Sequence, residues 1–430
     1  MNKVFKLMEN GTSVSREIVA GLTTFLTMAY ILAVNPGMLG QIGNGMTPGS
    51  VFTATVVGSV IAMLVMAFAA NLPIALAPGM GLNAFFTYTV VFGMGYSWQT
   101  ALTAVFIEGI LFVVLSLFNV REAIVKAIPD SLKKAVAGGI GLFIALIGLQ
   151  NGGVIVNNDA TLVGLGDVSS GTALLTVIGI VIIMVLWTRK VPGAILIGIL
   201  LTTIIGIPFG ITKIGSNFNP ISLPSAPTLF QFDFSNIFTI KFFTVFFTFL
   251  FVDIFDTVGT LVGVTTQAGI SKNGEIPRVK QALLADAIGT VAGACVGTST
   301  VTSYVESTAG VAAGGRTGLT TLSTAVFFVL ALFLSPLFLL IPSAATAGAL
   351  IFVGFLMMQS VTGINFKDPT EGIPAFLCIA MMPFAYSVAE GIVWGILCFV
   401  ILKAAAGKFK DISIVTWVLF VIFLFRFIYM

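Results

Sequence analysis

Two carboxylates three residues apart, Asp253 and Asp256 in LFVDIFDTVGT, interrupt an apolar run. A helix places positions i and i+3 on one face, so both acids are expected to point into one cavity. Like charges that close repel, which favours a shared or exchangeable proton, the physical requirement for proton coupling. Three more acids lie in apolar surroundings: Glu108 in VFIEGIL, Asp286 in LLADAIG and Glu306 in TSYVESTAG. Most of the remaining acids fall in loops or at the ends of apolar runs, where water is expected to solvate them. A carboxylate near a bilayer centre is costly, so an intramembrane acid marks function by default. Asp286 and Glu108 have bracing between helices as an equal alternative.

The segments that must position these groups are unusual. LPIALAPGMGLNAFFTYTVV carries Pro78, Gly79 and Gly81 ahead of Asn83, and GTSTVTSYVESTAGVAAGGRTG is dense in Thr, Ser and Gly around Glu306. Both read as extended backbone leading into a half-helix, which a membrane tolerates only where it is buried in protein or lines a cavity. Two ordinary helices with glycine packing faces are the alternative, and that reading leaves Asn83 and Glu306 unexplained. Phe25 precedes Asn83 by 58 residues and Phe249 precedes Glu306 by 57, so the two polar positions are almost equivalently spaced. Paired interruptions of this kind point to a binding site between two related halves.

The rest of the chain says what the solvent is. Of its 430 residues 57% are hydrophobic and 9% charged, where a soluble domain carries about 25% charge. Apolar runs of membrane-spanning length recur throughout and predict an all-α polytopic membrane protein with about fourteen transmembrane segments. Their approximate bounds are 16–36, 50–70, 73–91, 98–118, 132–150, 170–188, 191–212, 240–264, 280–297, 298–313, 317–340, 343–362, 372–387 and 389–405. With the N-terminus in the cytoplasm and alternating sides, seventeen Lys and Arg fall inside and only Lys213 and Lys241 outside, Arg426 set apart. That asymmetry supports both the count and the orientation. A last apolar run, 412–430, is a fifteenth span or an interfacial helix. The opening MNKVFKLMENGTSVS has no apolar core before a cleavage site, so no cleaved signal peptide is expected. Cys295, Cys378 and Cys398 match no metal spacing and read as small core residues.

Seven spans per half would give an inverted repeat. TTFLTMAY in the first span faces FTFLFVDIF in the eighth, and IPDSLKKAVAGGIGLFIALIGLQ faces IPSAATAGALIFVGFLMMQ. The longest loop, 213–239, separates the halves as an extracellular linker. The chain has no histidine, and no buried Lys or Arg is expected beside the acids. An anion carrier would want a fixed positive charge there, though a helix N-terminus partly substitutes. A neutral, flat molecule rich in N–H donors suits carboxylates better: a purine base offers N–H groups to an acid, acceptors to Asn83 and a π-face to Phe25, Phe85 or Phe86. Histidine-dependent hydrolases are excluded, and an intramembrane aspartyl protease would carry its two acids on separate helices. A proton or cation channel explains acids in a cavity but not paired broken segments.

AGLTTFLTMAYILAVNP, APGMGLNAFF, FVDIFDTVGT and TSYVESTAGVAAGGRTGLT together resemble, in order and over nearly the whole chain, the AzgA-like hypoxanthine, guanine and adenine permeases of the nucleobase-ascorbate transporter superfamily. The resemblance implies a 7+7 inverted repeat with a core domain from 16–118 and 240–340, a gate domain from 119–212 and 341–405, and a C-terminal hydrophobic segment at 406–430. It also implies elevator-type import of a purine nucleobase by symport with a proton, or with sodium, in the plasma membrane, by a homodimer that needs no cofactor, metal or nucleic acid. Substrate-binding positions implied are Asp256 and Asp253 of span eight, Glu306 of segment ten, Gly81, Asn83 and Phe85 of segment three, and Thr27 of span one; Asp253, Asp256 and Glu306 also carry proton coupling. The Gln-His motif of the xanthine and uracil branches is missing from span one, so their specificity does not transfer. An anion transporter of the same fold is the nearest rival. Asp256→Asn is expected to abolish uptake while leaving folded protein in the membrane; normal accumulation by that variant would remove Asp256 from the mechanism.

Overall fold

The computed structural model describes residues 2–429 except 118–128, 170, 216, 217, 236 and 271–275. Arg121, Lys126 and Lys272, three of the basic residues behind the charge asymmetry, lie outside the described residues. The first half runs through α1 (Asn2–Phe5), α2 (Val14–Met28), α3 (Ile31–Leu39), α4 (Pro48–Val65), β1 (Leu76–Pro78), α5 (Met80–Ala84), α6 (Trp98–Leu117), α7 (Asp130–Asn151), β2 (Ile155–Asn158), β3 (Leu162–Leu165), α8 (Gly171–Thr188) and α9 (Ala194–Ile205). The second half runs through α10 (Ile240–Gln267), α11 (Val279–Val296), β4 (Val301–Ser303), α12 (Ser307–Ala312), α13 (Gly318–Leu332), α14 (Ser335–Leu339), α15 (Ser343–Met358), α16 (Pro369–Phe384), α17 (Val388–Ala405) and α18 (Ile414–Tyr429). Eight helices among the described residues are long and apolar enough to cross a membrane, α2 and α3 counting as one span bent at Ala29 and Tyr30. Shorter apolar helices, Met80–Gly93, Ala194–Ile205, Gly318–Leu332 and Ile414–Leu424, accompany them.

Local sequence explains where the helices begin. Ser13 caps α2, Thr47 and Ser50 form a reciprocal capping box at α4 with Pro48 just inside, and Asp368 caps α16 ahead of Pro369. Each hydroxyl or carboxylate satisfies a backbone N–H that the first turn leaves without a partner. Packing then sorts the helices into neighbours: α11 lies against α4 and α6, and α13 against α2 and α4, while α7 lies against α15 and α16, and α8 against α9 and α15.

At the centre of the first group two three-residue strands meet. β1 and β4 pair antiparallel in the register Leu76↔Ser303, Ala77↔Thr302 and Pro78↔Val301, although 225 residues separate Val301 from Leu76. Gly79 N–H donates to Thr300 O at 3.0 Å and Tyr304 N–H to Ala75 O at 2.9 Å, closing the ladder at both ends. All six strand residues are buried. Extended backbone at membrane depth must find its hydrogen-bond partners in protein, and here each segment is the other's partner. Both interrupted segments therefore take the expected shape, extended first and helical after, with α5 continuing in π-helical turns over Phe85–Gly93.

One acid departs from the sequence reading. Glu17, near the start of α2, was expected in water and is fully buried. Its carboxylate accepts from Arg316 N at 2.9 Å, Thr317 N at 3.2 Å, Thr317 Oγ1 at 2.8 Å, Thr320 N at 3.1 Å and Thr320 Oγ1 at 2.7 Å. A buried carboxylate at a helix N-terminus satisfies the free N–H groups and complements the positive end of the dipole, so Glu17 bolts the start of α2 to the start of α13. Lys403 likewise is buried, at 3% exposure, but pairs with Glu371 at 2.5 Å and Asp411 at 3.5 Å at the end of α17, away from the intramembrane acids. Glu17→Ala leaves five donors without their acceptor and is expected to cost about 3 kcal/mol of stability; an unchanged thermal midpoint of the purified variant would contradict this role.

Candidate functional site

Helix periodicity decides which acids face the cavity. On α10, Val252, Asp256 and Thr260 recur at i, i+4 and i+8, and all three line a cavity of about 1160 Å³. Asp253 stacks instead with Thr257, four residues on, along the neighbouring stripe, which faces α11. Thr257 Oγ1 lies 3.3 Å from Asp253 Oδ1, 2.6 Å from Asp286 Oδ1 and 2.6 Å from Thr302 Oγ1. The two aspartates thus do not share one cavity: Asp253 is fully buried beside Asp286, and Asp256 is half-buried at the cavity wall. Three residues turn a helix through about 300°, which leaves the pair 60° apart and lets neighbouring helices separate them.

Glu306 reaches the same cavity from the other interrupted segment, just before α12. Tyr30, at the bend between α2 and α3, donates to Glu306 Oε1 at 2.6 Å. Thr27 Oγ1 donates to Thr24 O at 2.8 Å, with Glu306 O at 3.4 Å. Asp256 and Glu306 both line this space. Tyr304 also lines it, its hydroxyl donating to Pro78 O at 2.5 Å and so tying β4 to the end of β1. Sequence reasoning missed Tyr30 and Tyr304, though Tyr30 closes the TTFLTMAY motif and Tyr304 stands two residues before Glu306.

Glycines bring the backbone close to this wall. A Cβ on Gly79 would stand 2.6 Å from Thr302 Cγ2 and 3.6 Å from Asp256 Oδ2, and one on Gly81 would stand 2.5 Å from Ile140 Cγ2 of α7. Only hydrogen at those positions lets the half-helix approach its neighbours. Across the cavity the wall is apolar: Val136, Ala137 and Ile140 of α7 with Val353, Leu356 and Met357 of α15. The exposed Thr188, Lys190 and Gln359, with Ser360, also line it.

The remaining sequence candidates do not line the cavity. Asn83 is fully buried and accepts from Ser299 Oγ, while its Nδ2 lies 3.5 Å from Pro78 O. Phe85 packs edge-on against Phe249 at 4.9 Å between centroids, and Phe86 lies 6.4 Å from the same ring. Phe25 packs against Phe327 and Phe328. Glu108 accepts from Thr300 Oγ1 at 2.8 Å, and Thr290 Oγ1 donates to Val301 O at 3.0 Å. The hydroxyl-rich run GTSTVTS is thereby held residue by residue: Ser299 by Asn83, Thr300 by Glu108, Val301 by Thr290 and Thr302 by Thr257 with Asp286 behind it. Ser299, Thr300 and Thr302 persist at this depth because each is partnered, whereas the Ser303 hydroxyl at the end of the run has no hydrogen-bond partner among the described residues.

Residues 15–422 match the family model Xan_ur_permease, described as a permease family. The chain is 44% identical to the adenine permease AdeQ of Escherichia coli (strain K12), covering 100% of this chain and 96% of that protein. It is 46% identical to the guanine/hypoxanthine permease PbuG of Bacillus subtilis (strain 168), covering 100% of both. Among solved structures, the transmembrane domain of the cyanobacterial bicarbonate transporter BicA superposes with a TM-score of 0.64 at 18% identity, over 89% of this chain and 97% of that one. SLC26A9 superposes with a TM-score of 0.61 at 13% identity, over 91% and 65%. At those identities the structures share the fold alone. The Gly81 contact yields a test: Gly81→Ala is expected to lower the thermal midpoint, and adding Ile140→Ala, which removes the opposing methyl, to recover most of the loss. A midpoint that falls further in the double variant would contradict the close-approach account.

Proposed function

The chain belongs to the permease family matched over residues 15–422, a multi-pass integral membrane transporter and not an enzyme, and from that premise we propose that it imports purine nucleobases such as hypoxanthine, guanine and adenine. The observation that carries the reading is the composition of the cavity's polar wall. Asp256 and Glu306 present carboxylates there beside Tyr30 and Thr260, and Lys190 of the lining is exposed. Carboxylates accept N–H donors, which a neutral purine carries on its ring and exocyclic groups and which inorganic anions lack. The names of the relatives AdeQ and PbuG support the same substrate class.

In this reading Asp256 and Glu306 contact the base, with Gly81 and Thr27 shaping the wall. Asp253, held with Asp286 behind Thr257, stands one shell back and serves the proton rather than the base. Asn83 and Phe85 position the half-helix. The fourteen-segment, seven-plus-seven arrangement divides into a core of 16–118 and 240–340 and a gate of 119–212 and 341–405, joined by the 213–239 linker. The carboxylates of the lining belong to the core, and Val136, Ala137, Ile140, Val353, Leu356 and Met357 to the gate, a division that lets the core slide with its cargo past a largely apolar surface. The protein sits in the plasma membrane as a homodimer with its N-terminus in the cytoplasm, and a proton accompanies the base.

Labelled hypoxanthine uptake by a permease-deficient cell expressing the chain tests this. Uptake is expected to be competed by unlabelled guanine and adenine, to collapse with a protonophore and to survive sodium removal. Sodium dependence would reverse the ion assignment, and sulfate or bicarbonate flux without purine uptake would favour the anion-transporter alternative.

A further inference from the structure

The cavity lining runs from the exposed Thr188, Lys190 and Gln359, with Ser360 beside them, to the buried Gly81 and Ile140. Beyond that point lie the last residues of α7, the π-helical turns after α5, the turn after α3 and the link between α16 and α17. Two of their hydrogen bonds, Asn151 to Tyr88 and Thr89 to Tyr386 O, cross the boundary between the proposed core and gate, and two, Gln41 to Tyr88 and Tyr386 to Gln150, brace either side of it. Asn151 Nδ2 donates to the Tyr88 hydroxyl at 2.7 Å, and Gln41 Nε2 donates to the same oxygen at 3.3 Å. Tyr386 donates to Gln150 Oε1 at 3.0 Å, and Thr89 Oγ1 donates to Tyr386 O at 3.3 Å. The Tyr386 ring meets Phe143 of α7 edge-on at 5.3 Å. Tyr386 also holds a left-handed backbone, φ 51, which a bulky residue adopts only when its surroundings impose it.

We propose that Tyr88, Asn151, Gln41, Gln150, Thr89 and Tyr386 form a neutral hydrogen-bonded latch that closes the site on the face opposite its exposed end and must break for the site to open there. This rests on the alternating-access reading above, but not on the identity of the cargo. Tyr88 and Thr89 continue directly from the half-helix that carries Gly81, so movement of that half-helix relative to α7 pulls on the latch first. The latch contains no carboxylate or ammonium, so its strength is set by geometry and not by screening. Each bond is modest, and several acting together bias which side is open without locking it.

The test uses the full-length chain in sealed vesicles with Ile140→Cys, a cavity position directly behind the latch, and a membrane-impermeant maleimide. The same chain with Ile140 intact corrects for Cys295, Cys378 and Cys398. Labelling from the latch face is expected to rise about tenfold when Tyr88→Phe removes the hydroxyl that joins Asn151 and Gln41. Labelling from the opposite face should stay level or fall, because opening one side closes the other. Asn151→Ala breaks the Asn151–Tyr88 bond from the other side, and Thr89→Val removes the donor to Tyr386 O; both should act in the same direction, which covers a Tyr88 variant that does not fold. Unchanged labelling in all three variants, or faster labelling from both faces together, would overturn the latch. A wild-type chain that carries no purine would defeat the substrate proposal and leave this readout intact.

Discussion

Pairing of β1 with β4 is the constraint on which the rest of the site depends. Six residues of extended backbone lie fully inside protein at membrane depth, where an unpartnered amide or carbonyl costs several kcal/mol. Neither strand can satisfy itself, so the two halves of the chain must meet, and meeting in one register fixes where the following half-helices start. That placement sets Gly79 and Gly81 on one side of the cavity and Glu306 on another, with Asp256 of α10 beside them. A slip of one residue would exchange the faces of both strands and turn Thr302 away from Thr257.

The buried acids divide by what they hold. Glu17, Glu108 and Asp286 accept from hydroxyls and amides of the second half, fastening α13, Thr300 and the Thr257–Thr302 pair. Asp256 and Glu306 line the cavity, Glu306 while accepting from Tyr30 on the same wall. Much of the polar content of the interrupted segments therefore serves to make them rigid, and little remains for cargo. A site built this way is preorganised: its recognition groups stand on backbone that has nowhere to relax.

Much of this arrangement was legible in the sequence. The Pro78, Gly79 and Gly81 cluster and the GTSTVTS run announced non-helical backbone, because neither suits a helix interior and a membrane penalises irregularity without a partner. Asp256 and Glu306 were legible as acids without solvent. Three things were not. The split of Asp253 from Asp256 depends on which helix covers each stripe of α10, which i and i+3 spacing alone leaves undecided. Asn83 pointed to cargo by type, yet its partner Ser299 lies 216 residues away and only the strand register brings them together. Glu17 looked like a span-end acid because nothing near it in sequence reveals that α13 begins against it.

In the proposed function a flat, neutral, donor-rich molecule binds at the carboxylate-bearing wall and faces apolar side chains on the other. In the proposed reading the exposed Lys190 meets cargo only in passing, and Asp256, Glu306 and Tyr30 surround its resting place. The most direct measurement is calorimetric titration of the purified, membrane-reconstituted protein with hypoxanthine. The account predicts one saturable site per chain, displaced by guanine and lost in Glu306→Gln, and no heat from sulfate or bicarbonate. Saturable binding of those anions with none of hypoxanthine, or hypoxanthine binding untouched by Glu306→Gln, would contradict it.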